Sequence, residues 1–203
     1  MKKKEINSAR TPVYRDAGFE LPSAGTTSDA FAAEIDHERE PELYIYSRYR
    51  NPTVVAAEEA VMATEGSAWA LLAQSGMSAI DIALSIFQEA GKKSRWLFFS
   101  EIYGGTLSYI SSVLEKRRGL QIDFFRPSGN SYDYDLLEKT LADTRPEILY
   151  FETISNPLLM VAEGRRIIAL ARHYGARVLV DNTFATPLLW KPLDEGADIV
   201  IHS

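Results

Sequence analysis

The 203-residue chain contains no cysteine. That absence excludes disulfides, thiolate catalysis and cysteine-ligated zinc. Histidine is nearly as scarce, and His37, His173 and His202 do not have the spacing of a metal motif. His173 falls near the end of an expected helix, where a cation complements the helix C-terminus. No apolar run reaches the roughly 20 residues that span a bilayer. No apolar stretch follows Lys2, Lys3 and Lys4, so the expectation is a solvated tail rather than a secretory signal, and a cytoplasmic chain without a membrane partner. Positive charge is also in short supply: 28 acidic residues against 22 basic ones leave a net charge of -6. A general nucleic-acid surface needs concentrated Lys and Arg, so none is expected. Neither a G-x-G-x-x-G nor a Walker A sequence occurs, which disfavours an unrelated nucleotide-binding protein.

What is present is an ordinary globular composition, 46% hydrophobic and 25% charged. Residues 1–52 read as an irregular N-terminal arm broken by Pro12, Gly18, Pro22, Gly25, Pro41 and Pro52, with a solvated acidic patch at Asp36, Glu38, Glu40 and Glu42. A connection of that length inside a compact domain is functional or disordered, so this arm is expected to pack on something other than its own chain. From residue 53 to 203 helical and strand-like patterns alternate. Helices are expected over 53–64, 77–89, 105–118, 133–143 and 163–174. Apolar runs that read as strands lie at 67–73, 95–99, 120–125, 147–152, 176–181 and 198–202. Short β-rich runs between helices of this length predict an α/β fold, a mostly parallel sheet covered on both faces. Ligands of such sheets collect beyond the carboxyl ends of the strands, and that is where the chemistry is sought.

Several polar residues fall at those ends. The run QSGMSAI (74–80) leaves a strand, turns at Gly76 and enters a helix, an arrangement that serves as an anion cradle or as ordinary helix capping by Ser75. Asp181 ends the run ARVLVD and precedes Asn182 and Thr183. A carboxylate there caps a following turn or meets a cationic nitrogen such as a protonated pyridinium, since burying it alone is costly. Asn156 follows EILYFE with Glu152 and Ser155 nearby, and its Asn-Pro step marks a turn that accommodates a cis bond. Tyr103, in YGGT, stands at another strand-to-helix junction, where its ring either packs or stacks on a planar ligand. In YSRYRNPT (46–53), Arg48 and Arg50 suit a bidentate anion or a surface ion pair.

In order, YSRYRNPT, QSGMSAI, YGGT, FETISNP, VDNTFATP and GADIVIHS resemble the Cys/Met-metabolism family of pyridoxal-phosphate (PLP) enzymes, the trans-sulfuration group of cystathionine synthases and lyases, methionine γ-lyase and O-acetylhomoserine sulfhydrylase. The opening TPVYRDAGFELP resembles the family's N-terminal arm. This resemblance implies a fold-type I, aspartate-aminotransferase-like large domain and pyridoxal 5'-phosphate as cofactor. By the same resemblance, Ser75, Gly76, Met77 and Ser203 bind the phosphate. Tyr46 and Arg48 reach the phosphate of a neighbouring subunit, so the expected assembly is a homo-oligomer, a dimer or a dimer of dimers, with shared sites. Tyr103 stacks on the ring and takes part in proton transfer. Asp181 pairs with the ring nitrogen beside Thr183, and Asn156 lies near the phenolic oxygen with Glu152 behind it. The implied substrate is an amino acid carrying sulfur or an acylated oxygen, processed by β/γ-elimination or γ-replacement. Gly105 stands where methionine γ-lyases often carry cysteine.

The resemblance also implies a Schiff-base lysine within a few residues after DIVIHS, and a C-terminal domain beyond it. The 203 residues end at Ser203, and Lys191, Lys92, Lys93, Lys116 and Lys139 do not match that lysine. The expectation is that these residues alone are inactive, as a natural truncation, an engineered piece or a sequence divided at a modified lysine. An alternative reading is a non-catalytic paralogue that lends Tyr46 and Arg48 to a longer partner.

Overall fold

A computed structural model describes residues 9–35, 43–89 and 91–203. Lys2–Lys4, the acidic patch from Asp36 to Glu42, His37 and Pro41 lie outside the described residues. The chain forms two compact units, residues 1–72 and 73–203.

Among the described residues the first unit carries two helices, α1 (Ala24–Ile35) and α2 (Pro52–Glu65). The first of these lies within the segment that reads as an irregular arm. Its sequence, AGTTSDAFAAEI, lacks proline and keeps its one glycine in the first turn, so no residue inside it breaks a helix, and Ala30 and Ala33 are buried. The second helix follows from a strong start signal. The Asn51 side chain accepts from Thr53 N at 2.8 Å and Pro52 occupies the first turn, while Gly66 closes the other end at φ 74°, donating to Met62 O at 2.8 Å. Asn51 also donates to Tyr14 O and Ser47 Oγ, at 3.2 and 2.9 Å. A short antiparallel bridge joins Gly18 to Tyr46, with Ser47 N donating to Ala17 O at 2.8 Å. Residues 67–73 form no strand despite their apolar run. A strand requires a hydrogen-bonded neighbour, and among the described residues none pairs with this segment.

The second unit is built on a five-stranded sheet in the order β2-β1-β3-β4-β5, with every pair parallel. The strands are β1 (Arg95–Phe99), β2 (Gln121–Phe125), β3 (Ile148–Glu152), β4 (Arg177–Asp181) and β5 (Ile199–Ile201). Among the described residues five α-helices accompany them, α3 (Gly76–Ser85), α4 (Gly104–Tyr109), α5 (Tyr134–Thr144), α6 (Gly164–His173) and the short α7 (Thr186–Leu189), with a 3-10 turn at Pro192–Glu195. A π-helical stretch, Ile110–Glu115, continues α4. The expected parallel α/β sheet is thus observed, with strand limits within a residue or two of those read from the sequence. Strand β3 is buried at every residue, so both of its faces are covered, which explains why it reads as a continuous apolar run. The core gathers around Trp96, Phe98, Phe99, Tyr150 and Phe151, with the rings of Phe98 and Tyr150 5.3 Å apart between centroids. No helix among the described residues is long and apolar enough to cross a membrane.

Candidate active site

Parallel strands deliver their carboxyl ends to one edge, and four loops meet there. The register sets Glu152 of β3 beside Asp181 of β4, and Asp181 beside Ile201 of β5. Two carboxylates therefore stand side by side at the same level of the sheet, Glu152 at 7% and Asp181 at 9% exposure. Burying two neighbouring acids is expensive unless each is satisfied. Both are.

Asp181 is held from two sides. Its Oδ1 accepts from Thr183 N at 3.0 Å and from Thr183 Oγ1 at 2.5 Å; its Oδ2 accepts from the Tyr150 phenol at 3.2 Å. Glu152 spans two loops, accepting Tyr103 N on Oε1 at 2.6 Å and Asn156 N on Oε2 at 3.1 Å. Burial raises the Glu152 carboxyl to about 7, the Asp181 charge adds to the rise, and the two backbone N–H groups oppose it. The same forces push the Tyr150 phenol well above its ordinary value of 10, burial first and then the charges of Asp181 and Glu152.

The β3 loop is braced independently of these carboxylates. Thr153 N donates to Asp181 O at 3.0 Å, Thr153 Oγ1 to Asn182 Oδ1 at 2.7 Å, and Asn182 Nδ2 to Trp190 O at 2.9 Å. The Asn156–Pro157 bond is cis. Tyr103 remains 49% exposed beside these groups, with its ring folded over Gly105, where a Cβ would collide with it.

At the far end of the cluster lies the start of α3. Ser75 caps the helix, its Oγ accepting from Ser78 N at 3.1 Å, and Ala79 N bonds back to Ser75 O at 2.9 Å. The N–H groups of Gly76 and Met77, which precede the first helical bonds, remain as donors for an anion. A Cβ on residue 76 would overlap the Ser203 side chain, so glycine is what allows the end of β5 to approach this helix. Ser203 N in turn donates to Thr183 Oγ1 at 3.1 Å. The helix is steadied away from the site by Asp81, which accepts from Tyr109 Oη and from Arg118 Nη2, the latter at 2.6 Å, while Arg118 Nη1 donates to Ser85 at 2.8 Å. The Tyr109 hydrogen bond and the Arg118 guanidinium hold the Asp81 carboxyl below the usual range, against burial.

The second unit therefore brings together Ser75, Gly76, Met77, Tyr103, Glu152, Asn156, Asp181, Thr183 and Ser203. Tyr46 and Arg48 belong to the first unit, where the Arg48 guanidinium lies 5.1 Å from the Tyr46 ring centroid. Two contributors escape sequence reasoning. Tyr150 looks like one more core aromatic, although it stands two residues before Glu152 and so shares its face of the strand. Asn182, wholly buried, reads in the sequence as a mere neighbour of Asp181. The Thr183 side chain serves Asp181 and Ser203 N. Among the described residues no group of three His, Asp or Glu is placed to hold a metal ion.

Comparison with known proteins gives a consistent answer. A family model described as "Cys/Met metabolism PLP-dependent enzyme" matches residues 1–203. A cystathionine β-lyase of Lactococcus lactis subsp. cremoris is 40% identical over 164 residues, covering 81% of this chain and 41% of that protein. A methionine γ-lyase of Arabidopsis thaliana is 32% identical over 199 residues, covering 98% and 43%. Among solved structures, an O-acetylhomoserine (thiol)-lyase described from Campylobacter jejuni, carrying N'-pyridoxyl-lysine-5'-monophosphate, superposes with a TM-score of 0.78 at 29% identity, covering 97% of this chain and 45% of that one. A cystathionine γ-synthase of Xanthomonas oryzae pv. oryzae gives 0.77 at 28% identity over the same shares. The chain spans less than half the length of these relatives.

Proposed function

Since the chain belongs to the Cys/Met metabolism PLP-dependent enzyme family, we propose that it supplies the cofactor-binding half of a carbon–sulfur lyase or transferase site. When bound, pyridoxal phosphate supplies an electron sink for the substrate's α-carbon. The chain's residues fit that group. It has an anionic phosphate, a flat ring and a basic ring nitrogen, and the site offers a match for each. Gly76, Met77 and Ser203, with Ser75 at the helix cap, hold the phosphate. Asp181 holds the proton on the ring nitrogen. Tyr103 covers the ring and serves the proton transfers, and Asn156 lies toward the phenolic oxygen. Glu152 ties the Tyr103 and Asn156 loops together from behind.

One observation carries this reading: hydrogen bonds run from Ser203 N to Thr183 Oγ1 to Asp181 Oδ1, with Ser203 seated against Gly76. The anion cradle and the buried carboxylate are thus parts of one connected structure rather than separate capping features. Each helix-end interaction contributes about 0.3–1 kcal/mol when exposed and up to about 2 when partly buried, so several together are needed for tight phosphate binding.

Tyr46 and Arg48, exposed and mutually stacked on the first unit, are proposed to serve a neighbouring subunit's phosphate in a homo-oligomer. The substrate is an amino acid with sulfur or an acylated oxygen on its β or γ carbon. Elimination is favoured over replacement by the 40% identity to cystathionine β-lyases, while Gly105, at the position where methionine γ-lyases often carry cysteine, argues against that member of the family. The test is equilibrium binding of pyridoxal phosphate to the parent and to Gly76→Ala. Displacing Ser203 from the cradle is expected to weaken binding at least about tenfold, the equivalent of one lost charge-assisted hydrogen bond. Equal affinity in the two proteins would remove the phosphate from this cradle.

A further inference from the structure

We propose that Tyr150 is a positioning residue for Asp181: its buried phenol fixes the orientation in which the carboxylate faces the cofactor's ring nitrogen. This rests on the reading of Asp181 given above.

The two carboxylate oxygens are held differently. Asp181 Oδ1 is taken up by its own loop, through Thr183 N and Oγ1. Among the described residues Oδ2 has one protein donor, the Tyr150 phenol at 3.2 Å, which comes from the adjacent central strand. Tyr150 is fully buried among Phe98, Leu149 and Phe151, so packing alone would be served by phenylalanine. A phenol at that depth is costly unless its hydroxyl finds a strong acceptor, and an ionised carboxylate is the strongest acceptor available. The donor is also permanent. Burial and the nearby charges of Asp181 and Glu152 keep the phenol protonated across any working pH.

The other groups around the phenol do not compete for it. Glu152 is the remaining ionisable neighbour, and its two oxygens already accept from Tyr103 N and Asn156 N. From α4 comes only Thr106, whose buried hydroxyl makes no hydrogen bond of ordinary geometry but lies near enough to the phenol to oppose the rise in its pKa. The Tyr150 proton therefore has Asp181 as its acceptor. A carboxylate held by a hydrogen bond on each oxygen presents its charge to a ring nitrogen in one orientation, and an opposite charge so placed favours the protonated nitrogen.

The experiment follows the ring nitrogen directly, by its 15N chemical shift against pH in the holoprotein loaded with 15N-labelled pyridoxal phosphate. Tyr150→Phe removes the donor and keeps the ring. It is expected to lower the pH at which the nitrogen loses its proton by about one unit, a tenfold change, with an unchanged circular dichroism spectrum. Replacing Tyr150 by 4-fluorophenylalanine, which fills the place of the hydroxyl without a donor, is expected to lower the titration in the same way, and it carries the test should the phenylalanine variant not fold. Asp181→Asn separates the role of Asp181 from that of Tyr150. If it leaves the nitrogen signal as in the parent, the assignment of Asp181 itself fails. If Asp181→Asn shifts the signal while both Tyr150 replacements leave the titration in place, Asp181 stands and the role of Tyr150 is overturned.

Discussion

Replacing Glu152 by glutamine tests whether the carboxyl is as strongly perturbed in the folded protein as its surroundings require. The ordinary carboxyl value is 4.5, and the folded value is about 7. A pKa that is higher in the folded state means that folding favours the protonated acid. The group's contribution to stability is therefore complete below about pH 4.5 and is lost as pH rises through 7. A tenfold change in proton affinity corresponds to about 1.36 kcal/mol, so the loss amounts to roughly 3 kcal/mol over that window. Glutamine cannot titrate. It also presents an amide nitrogen to one of the two backbone donors, Tyr103 N or Asn156 N, and so loses one hydrogen bond at a pH-independent cost of about 1–3 kcal/mol. Urea unfolding of both proteins between about pH 4.5 and 8 separates the two effects. The difference in unfolding free energy, parent minus variant, is expected to fall by roughly 3 kcal/mol from the acid to the alkaline end, superimposed on a constant offset. Parallel curves with no change in that difference would refute the reasoning, because a carboxylate at its ordinary pKa has nothing left to titrate above about pH 5.5.

Other parts of the molecule give equally direct expectations. Leu149→Ala empties a fully buried position between Leu97 and Val178 on neighbouring strands and is expected to cost about 2–5 kcal/mol, read as a lower urea midpoint with an unchanged slope. Asn51→Ala removes the cap of α2 together with bonds to Tyr14 and Ser47, and about 1–2 kcal/mol of stability should be lost; hydrogen exchange localised to the first turn of α2 checks it.

The alternation of apolar runs and helical spacing is enough to locate all five strands of the sheet. Runs such as RWLFF and EILYFE have no polar face, and only burial on both sides stabilises them. Start and stop chemistry is equally legible at α2, where Asn51, Pro52 and Gly66 are local signals that need no tertiary partner. Sequence pattern fails where pairing decides. Residues 67–73 have a strand's composition but no strand beside them among the described residues, while α1 forms within a segment whose prolines and glycines lie outside the helix or in its first turn.

The site divides in the same way. Sequence order alone exposes Gly76, Tyr103, Asn156 and Asp181 as polar residues at the ends of elements, because in a parallel sheet those ends share one edge. It carries no information about which of them touch. That Glu152 stands level with Asp181 is a matter of strand register. That Glu152 bridges the Tyr103 and Asn156 loops is a matter of side-chain reach. That Tyr150 turns a core ring toward Asp181 is invisible in a run where every residue looks buried. Local composition fixes which segments can become helix or strand, since those preferences act over a few residues. Protonation states and hydrogen-bond partners depend on atoms brought together from segments far apart in the chain, so only the folded structure determines them.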